Sequence, residues 1–179
     1  MISKMLKVLK DIFRGILNIK ETTEEFVSGY VVSDETIEMI KQHEGFRSEA
    51  YEDVVAVWTI GYGNTFYADG TKVKKGDKIT RSEAEKLLRH IVEDFASEVD
   101  SMLKVHLTPC QFGALVSFSY NVGLSALRRS TLLKKVNANP DDAGIALEFA
   151  KWVKAGGKTY PGLVKRREEE ADYYFSKNC

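Results

Sequence analysis

The chain has 179 residues, of which 44% are hydrophobic and 29% charged, so it can fold one or two compact lobes around a core. The formal net charge is zero, which gives no bulk electrostatic reason to expect nucleic-acid binding. The charge is uneven, however, because residues 21–58 hold ten acidic and two basic residues, whereas residues 109–179 hold eleven basic and seven acidic ones. A basic carboxy-terminal part could attract an anionic polymer, and a solvated surface of mixed charge is an equal alternative.

Residues 1–20 have the pattern of an amphipathic helix, with apolar side chains on one face and mostly lysines on the other. Charges interrupt the apolar run, so the segment is predicted to be neither a secretory signal nor a membrane span. Two interpretations stay open: a helix that lies on a membrane surface or a partner, and an extra helix folded back on the chain's own surface. The polar residues 21–32 predict a linker. We therefore expect two units, residues 1–32 and residues 33–179.

A short helix is predicted from Ser33, whose side chain can cap it, to Glu44, because Gly45 supplies a left-handed stop. Glu44 would then be the last residue of a rigid helix. The β-branched and aromatic run from Val54 to Ile60 predicts a strand that ends in a glycine-containing turn.

The next elements are marked by turn and capping signals. Asp69-Gly70 predicts a turn, and a capping box at residues 80–83 opens a long helix to about Leu107. A second box at residues 108–111 opens a helix that is apolar nearly all round and is therefore predicted to be buried. The remaining predictions are short helices over residues 132–136 and 141–152, a loop over residues 155–158 and a last helix from Pro161.

The two cysteines, Cys110 and Cys179, show no spacing typical of a metal site or a disulfide framework. Cys110 falls in the apolar helical pattern and is expected to be a small core residue. Cys179 is the last residue, where we expect no structural bridge. The composition therefore favours a reducing compartment.

Two carboxylates in this order can perform glycosidic cleavage. Glu44 lies on a helix end and Asp53 beside a hairpin, so the two can face each other across a cleft, one as acid and one on the opposite face of the sugar. Spacing alone favours ordinary surface charges, since Asp and Glu are mostly exposed.

The stretch from Glu44 to Thr65 as a whole resembles the phage-type lysozymes, a family of glycoside hydrolases. Its signature is a Glu, eight residues, an Asp, five residues, a Thr and then I-G-Y-G or a close variant, which matches Glu44, Asp53, Thr59 and residues 60–63. Ala56 departs from the pattern, because the family usually has Gly there. The resemblance is continuous from about residue 34 to 175. It implies an α+β, mostly helical, lysozyme-like fold with two lobes: a small β-hairpin amino-terminal lobe, a long connecting helix and a helical carboxy-terminal lobe.

The resemblance also implies an activity and a site. The activity would be hydrolysis of the β-1,4 bond between N-acetylmuramic acid and N-acetylglucosamine, with inversion, and with no metal or organic cofactor. Glu44 would be the general acid, Asp53 the charged partner, and Thr59 would help to orient the water. Arg47 would lie near the acid and pair with a carboxylate there, and a surface position beside Glu49 and Glu52 is the alternative. The arginines of residues 162–167 could hold carboxylates of the peptide stem or of the protein itself. The implied substrate-binding residues are Tyr62, Thr65, Tyr120, Asn121 and Ser130.

Two other functions remain alternatives, a lytic transglycosylase and a non-catalytic peptidoglycan-binding protein. As an endolysin of the muramidase type, the chain is expected to be a monomer with peptidoglycan as its partner. It would wait in the host bacterial cytoplasm and act on the periplasmic wall after membrane disruption. A bacterial toxin is the other setting that the sequence allows.

Overall fold

The computed structural model describes residues 29–53 and 56–179. The helices of this part of the chain are α1 (Asp34–Glu44), α2 (Arg81–Asp100), α3 (Pro109–Val122), α4 (Leu124–Arg129), α5 (Thr131–Ala138), α6 (Gly144–Ala150) and α7 (Pro161–Tyr174). The strands are β1 (Arg47–Glu52), β2 (Trp58–Gly61), β3 (Lys154–Ala155) and β4 (Lys158–Thr159), paired antiparallel as β1–β2 and β3–β4. The predicted α+β, mostly helical architecture is confirmed. The predicted amphipathic helix over residues 1–20 and most of the predicted linker lie outside the described residues.

Helix α1 begins and ends where the sequence predicts. The Ser33 side chain accepts the backbone N–H of Thr36 at 3.2 Å, which satisfies one of the open donors at the helix start. Gly45 ends the helix with a φ of 69°, a conformation that costs glycine little. Glu44 is consequently the last residue of a well-defined helix.

The first hairpin differs from its prediction at its start. Strand β2 begins only at Trp58, because Asp53 and Val57 bond to each other in a turn instead of lying in one continuous strand. In that turn the Asp53 carboxylate accepts the backbone N–H of Val57 at 2.9 Å, and the Asp53 N–H donates to the Val57 carbonyl at 3.0 Å. An aspartate that bonds a nearby backbone group favours a turn over a strand. Strand β1 was not predicted, whereas the turn at residues 69–70 is present.

Helix α2 begins at the predicted capping box, in which Thr80 and Glu83 bond each other's backbone N–H groups. It ends seven residues before the predicted Leu107. The Ser101 hydroxyl donates to the Glu98 carbonyl at 2.7 Å, and the Asn137 side chain accepts a backbone N–H of the following loop at 2.8 Å. These bonds replace the helical ones, so the apolar residues after Ser101 stay buried without helical structure.

Helix α3 is the buried centre of the helical lobe, as its all-round apolar sequence predicts. It packs against α7, α2, α1 and α4. Gly113 lets two neighbours approach closely, because a Cβ at this position would collide with Thr36 of α1 and Tyr173 of α7. The large core side chains that are almost fully buried in and around this lobe include Phe112, Leu115, Phe118, Leu127, Leu132, Phe149 and Tyr174.

Two later elements differ in detail from prediction. Helix α6 begins at Gly144 rather than at Asp141, because the Asp142 carboxylate accepts the Gly144 N–H at 2.8 Å and the Lys135 ammonium at 2.6 Å, which holds the preceding residues in a turn. The predicted loop around residues 155–158 contains the short β3–β4 hairpin. The last helix begins at Pro161, as predicted.

The expectation of unbridged cysteines is wrong. Cys110, which is fully buried at the start of α3 as predicted, forms a disulfide with Cys179, and their Cα atoms lie 5.6 Å apart. The pairing closes a loop of 69 residues and ties the end of the chain to the central helix. Sequence spacing could not reveal it, because the two residues meet only after α7 has packed on α3.

The residues just before α1 pack on the helical lobe. The Tyr30 ring stacks on Phe112 with ring centroids 4.3 Å apart, and its hydroxyl accepts the backbone N–H of Leu107 at 2.7 Å. Across residues 29–53 and 56–179, none of the helices has the length and apolarity that a membrane span requires.

Candidate active site

A cleft of about 470 Å³ lies beside the end of α1. Four of the predicted site residues line it together, Glu44, Thr65, Tyr120 and Asn121. They come from α1, the loop after β2, and the end of α3. The other lining residues are Gly63, Asn64, Phe66, Ile91 and Phe95.

Glu44 is held at the cleft by a buried arginine. Its side chain is 22% exposed, and its Oε1 accepts a hydrogen bond of 2.6 Å from Arg166 Nη1. A charge-assisted bond of this length is strong and fixes the carboxyl group. Gly63 borders the carboxyl, because a Cβ at this position would lie 3.7 Å from Glu44 Oε2, an ordinary contact distance. Glycine is favoured there by its φ of 88°, a conformation that other residues rarely adopt.

The arginine that contacts Glu44 is Arg166 of α7, and of the two positions left open for Arg47 the structure shows the exposed one. Arg47 is exposed and lies over the ring of Tyr51 at 5.6 Å from its centroid. Of the two roles left open for the arginines of α7, the structure shows contact with the protein's own acids: Arg166 bonds Glu44, and both Arg166 and Arg167 bond Glu170.

Asp53 and Thr59 lie on the hairpin and are linked through one residue. Val57 gives its N–H to the Asp53 carboxylate, and its carbonyl accepts the Thr59 hydroxyl at 3.1 Å. Thr59 is only 4% exposed and pairs with Tyr51 across the two strands. Neither Asp53 nor Thr59 is among the residues that line the cleft with Glu44. The hairpin therefore fixes these two side chains relative to each other.

Ala56 gives this turn an unusual backbone. Its φ is 60°, the only positive φ of a non-glycine residue in residues 29–53 and 56–179. Left-handed backbone costs an alanine roughly 1–2 kcal/mol because its Cβ meets the following carbonyl. The departure from the family's usual Gly thus introduces strain at the residue directly before Val57, while the two Asp53–Val57 hydrogen bonds are retained.

Tyr62 and Ser130 do not reach the cleft lining. The Tyr62 ring is buried against Phe46, with centroids 5.6 Å apart, and only its backbone carbonyl meets the site, where it accepts the Tyr120 hydroxyl at 3.2 Å. Ser130 is buried as the cap of α5, where its hydroxyl accepts the Leu133 N–H at 3.0 Å and donates to a backbone carbonyl. The structure gives both residues supporting positions.

Aromatic side chains form much of the cleft wall. Phe95 packs on Tyr120 with ring centroids 5.4 Å apart, and Phe66 remains 45% exposed. Burial, and next the negative charge of Glu44, raise the pKa of Tyr120 far above its ordinary value of 10, so its hydroxyl keeps its proton. Phe66 was not predicted, although an aromatic residue directly after the glycine-rich turn is the signal that could have found it.

The arrangement can perform acid-base chemistry on a ligand with apolar faces. Within residues 29–53 and 56–179, no three His, Cys, Asp or Glu side chains form a group that could hold a metal ion. The groups available in the cleft are instead a carboxyl held by a guanidinium, a phenol, amides and aromatic rings.

Comparison with known proteins places the chain among phage lysozymes. The phage lysozyme family matches residues 41–170. The endolysin of Bacillus phage B103 is 48% identical over 147 residues, which are 81% of this chain and 54% of that protein. The endolysin of Acyrthosiphon pisum secondary endosymbiont phage 1 is 39% identical over 143 residues, 78% of this chain and 94% of that protein.

A solved structure agrees. The endolysin from Escherichia coli O157:H7 phage FAHEc1 superposes with a TM-score of 0.77 at 40% identity, over 84% of this chain and 97% of that one. The chain spans only about half the length of the Bacillus phage endolysins that it matches. From the continuous family match and the shared fold, we conclude that the chain belongs to the phage lysozyme family.

Proposed function

We propose that the chain is an endolysin of the muramidase type, which hydrolyses the β-1,4 bond between N-acetylmuramic acid and N-acetylglucosamine in peptidoglycan. One observation carries the proposal: the Glu44 carboxyl faces an aromatic-walled cleft and is held at 2.6 Å by the buried Arg166, in a chain of the phage lysozyme family. The α+β fold and the relatives named endolysins support the same activity.

In this mechanism Glu44 gives its proton to the bridging oxygen as the bond from that oxygen to the sugar C1 breaks. Electron density leaves C1 with the oxygen, so positive charge develops on the sugar ring. Arg166 supports the step, because its guanidinium stabilises the negative charge that remains on Glu44 after proton transfer. The leaving sugar departs with a free hydroxyl group.

Asp53 and Thr59 would act on the opposite face. The Asp53 carboxylate would stabilise the positive charge on the ring and take a proton from the water that adds to C1, with Thr59 helping to orient that water. Their shared bonds to Val57 support a joint role, since they keep the two side chains in fixed relation. Addition from that face inverts the anomeric centre.

Substrate binding would rely on the cleft walls. Phe66 and Phe95 offer apolar surface to the sugar rings, while Thr65 and Asn121 offer hydrogen-bonding groups to the N-acetyl amides. Tyr120 would help to shape the floor. We propose no direct sugar contact for Tyr62 or Ser130.

Replacement of Glu44 by Gln tests the acid. Glu44→Gln keeps the shape of the side chain but removes its proton, so lysis of permeabilised Gram-negative cells in a turbidity assay should fall to background. The matched control is Glu35→Gln, an exposed residue on the same helix, which should lyse at the normal rate. Circular dichroism must show both variants folded. Full activity of folded Glu44→Gln would refute the acid role.

Asp53→Asn tests the second carboxyl in the same assay. The amide can still accept the Val57 N–H through its oxygen, so the turn should persist while the charge is lost. Loss of such electrostatic stabilisation lowers rates by roughly two to three orders of magnitude. A rate near that of the unmodified chain would count against Asp53.

Product analysis separates the alternatives. A hydrolase leaves a reducing end that contains one added water, whereas a lytic transglycosylase leaves an anhydro sugar, and mass spectrometry of digested wall distinguishes the two. A non-catalytic peptidoglycan-binding protein would release neither product. NMR of the fresh anomers would report inversion.

For the setting, we propose that residues 33–179 form the lysozyme domain and that the monomeric chain waits in the host cytoplasm until membrane disruption opens the way to the wall. Removal of residues 1–20 should then leave hydrolysis of purified wall intact. Sedimentation of a peptide of residues 1–20 with vesicles would decide between the membrane-surface and self-packing interpretations. A folded but inactive truncation would contradict this division.

A further inference from the structure

Behind the cleft lies a buried cluster of charges that the proposed reaction does not use directly. Its centre is Glu170 of α7, which is fully buried. One oxygen of Glu170, Oε1, accepts three bonds: from Arg166 Nε at 3.1 Å, from Arg167 Nη2 at 2.8 Å and from the Ser117 hydroxyl at 2.8 Å. Two cations and one hydroxyl of the core therefore converge on one carboxylate oxygen.

Arg166 connects this cluster to the cleft. Its three guanidinium nitrogens have separate partners: Nη1 bonds Glu44, Nε bonds Glu170 and Nη2 donates to the Ser117 carbonyl at 3.3 Å. Because each nitrogen is engaged, the guanidinium plane has one orientation, and Glu170 supplies the anionic part of its anchoring. The contacts of Arg166 with Glu170 and Ser117 thus fix the orientation in which its Nη1 meets Glu44.

The charge balance of the cluster depends on Glu170 as well. Arg167 is almost fully buried over the Phe118 ring, 4.8 Å from its centroid, and its Nη2 forms an ion pair with Glu170 at 2.8 Å. Its Nε and Nη1, like Glu170 Oε2, have no hydrogen-bond partner in that part of the chain. Any loss of negative charge at Glu170 would leave two buried cations with Glu44 as their nearest remaining anion in the cluster.

We propose that Glu170 is a positioning residue for the reaction: it orients Arg166 toward Glu44 and limits the positive charge that the catalytic carboxyl meets. The proposal rests on the proposed function, in which Glu44 delivers a proton. Glu170 does not line the cleft, so it acts through Arg166 rather than on the substrate.

Other titratable groups face this cluster, and the experiment must distinguish their protonation from the effect of Glu170. From α1 these are Glu44 itself and His43, whose Nε2 lies 2.9 Å from Glu169 of α7; burial, and next Arg166, lower the pKa of His43. From α3 the group is Tyr120, which keeps its proton. Within α7, burial raises the pKa of Glu170, and the positive charges of Arg167 and Arg166 offset part of that rise. His43 is therefore the neighbouring group whose own titration the experiment must account for.

The test is Glu170→Gln in the full chain. The amide oxygen can still accept the three bonds, so geometry is kept while one negative charge is lost. The pH midpoint of the Glu44 carboxyl carbon signal, followed by NMR of glutamate-labelled protein and assigned with Glu44→Gln, should be lower than in the unmodified chain, because one neighbouring negative charge is lost. The alkaline limb of the pH–rate profile should move to lower pH as well. Glu168→Gln, an exposed residue on the same helix with the same charge change, should move neither.

Arg167→Met gives a prediction of opposite sign. It removes a cation and keeps an apolar contact with Phe118, so the pH at which Glu44 titrates should rise. It also keeps the proposal testable if Glu170→Gln does not fold. The Glu170→Gln shift should persist in a His43→Gln background, which separates the two titrations.

Unchanged titration of Glu44 in folded Glu170→Gln, or in folded Arg167→Met, would overturn the proposal. The NMR readout does not require turnover. If the unmodified chain failed to hydrolyse wall, the proposed function would fail while the effect of Glu170 on Glu44 could still be measured.

Discussion

The disulfide between Cys110 and Cys179 should carry a large share of the stability of the fold. In the chain-entropy description, a cross-link stabilises by restricting the unfolded state, and a closed loop of 69 residues corresponds to about 4 kcal/mol. For a domain of this size that is roughly 8–16 °C in Tm. Cys179→Ser is the suitable perturbation, because Cys179 is exposed, whereas Cys110 is fully buried and its replacement would also disturb packing.

The assay is urea unfolding of oxidised and reduced protein, with thiol titration to confirm each state. Oxidised unmodified protein should exceed Cys179→Ser by about 4 kcal/mol in unfolding free energy, and reduction should remove the difference. Cys179→Ser itself should not respond to reductant. Activity at low temperature should be unchanged, because Cys110 lies about 15 Å along α3 from Tyr120. Equal unfolding free energies of the oxidised protein and the variant would refute the reasoning.

Two further predictions concern the hairpin turn and the neighbour of Glu44. Ala56→Gly should raise the unfolding free energy by about 1 kcal/mol, because glycine adopts the φ of 60° without the clash that alanine meets; a decrease in the same urea assay would contradict the strain. For His43, burial lowers the pKa below the ordinary 6.5, so the unfolded chain takes up a proton at higher pH than the folded one. Unfolding free energy should therefore fall as the pH drops below about 6.5, and this part of the slope should vanish in His43→Gln. An identical slope in the variant would assign the effect to other groups.

Local signals in the sequence predicted much of the fold because their physics is local. The caps at Ser33, Thr80 and Thr108 each need only residues three positions away, and all three form as predicted. The predicted end of α2 at about Leu107 was wrong because it depends in part on a residue far away in the sequence. Buried apolar residues continue past Ser101, and one of the bonds that replace the helical ones comes from the distant Asn137.

The site shows the same division. The resemblance implied that Glu44, Thr65, Tyr120 and Asn121 belong to one site, and these four residues line one cleft in the structure. The contact between Arg166 and Glu44 depends on packing between distant helices, so local signals could not reveal it. Ser130 is the opposite case: the resemblance implied a substrate contact, whereas its hydroxyl is engaged locally as the cap of α5.

Helix α3 contacts the disulfide, the buried charge cluster and the cleft, yet stability and catalysis can be perturbed separately. Its start carries the bond to the end of the chain, its middle carries Ser117 against the buried charges, and its end carries Tyr120 at the cleft. Because α3 is buried nearly all round, its contacts with the neighbouring helices are core contacts and do not depend on the cleft. The disulfide restricts the unfolded chain and should leave the charge at Glu44 untouched, whereas Glu170 alters that charge without closing any loop. The two perturbations should therefore act independently, one on unfolding free energy under oxidising conditions and the other on the pH dependence of the reaction.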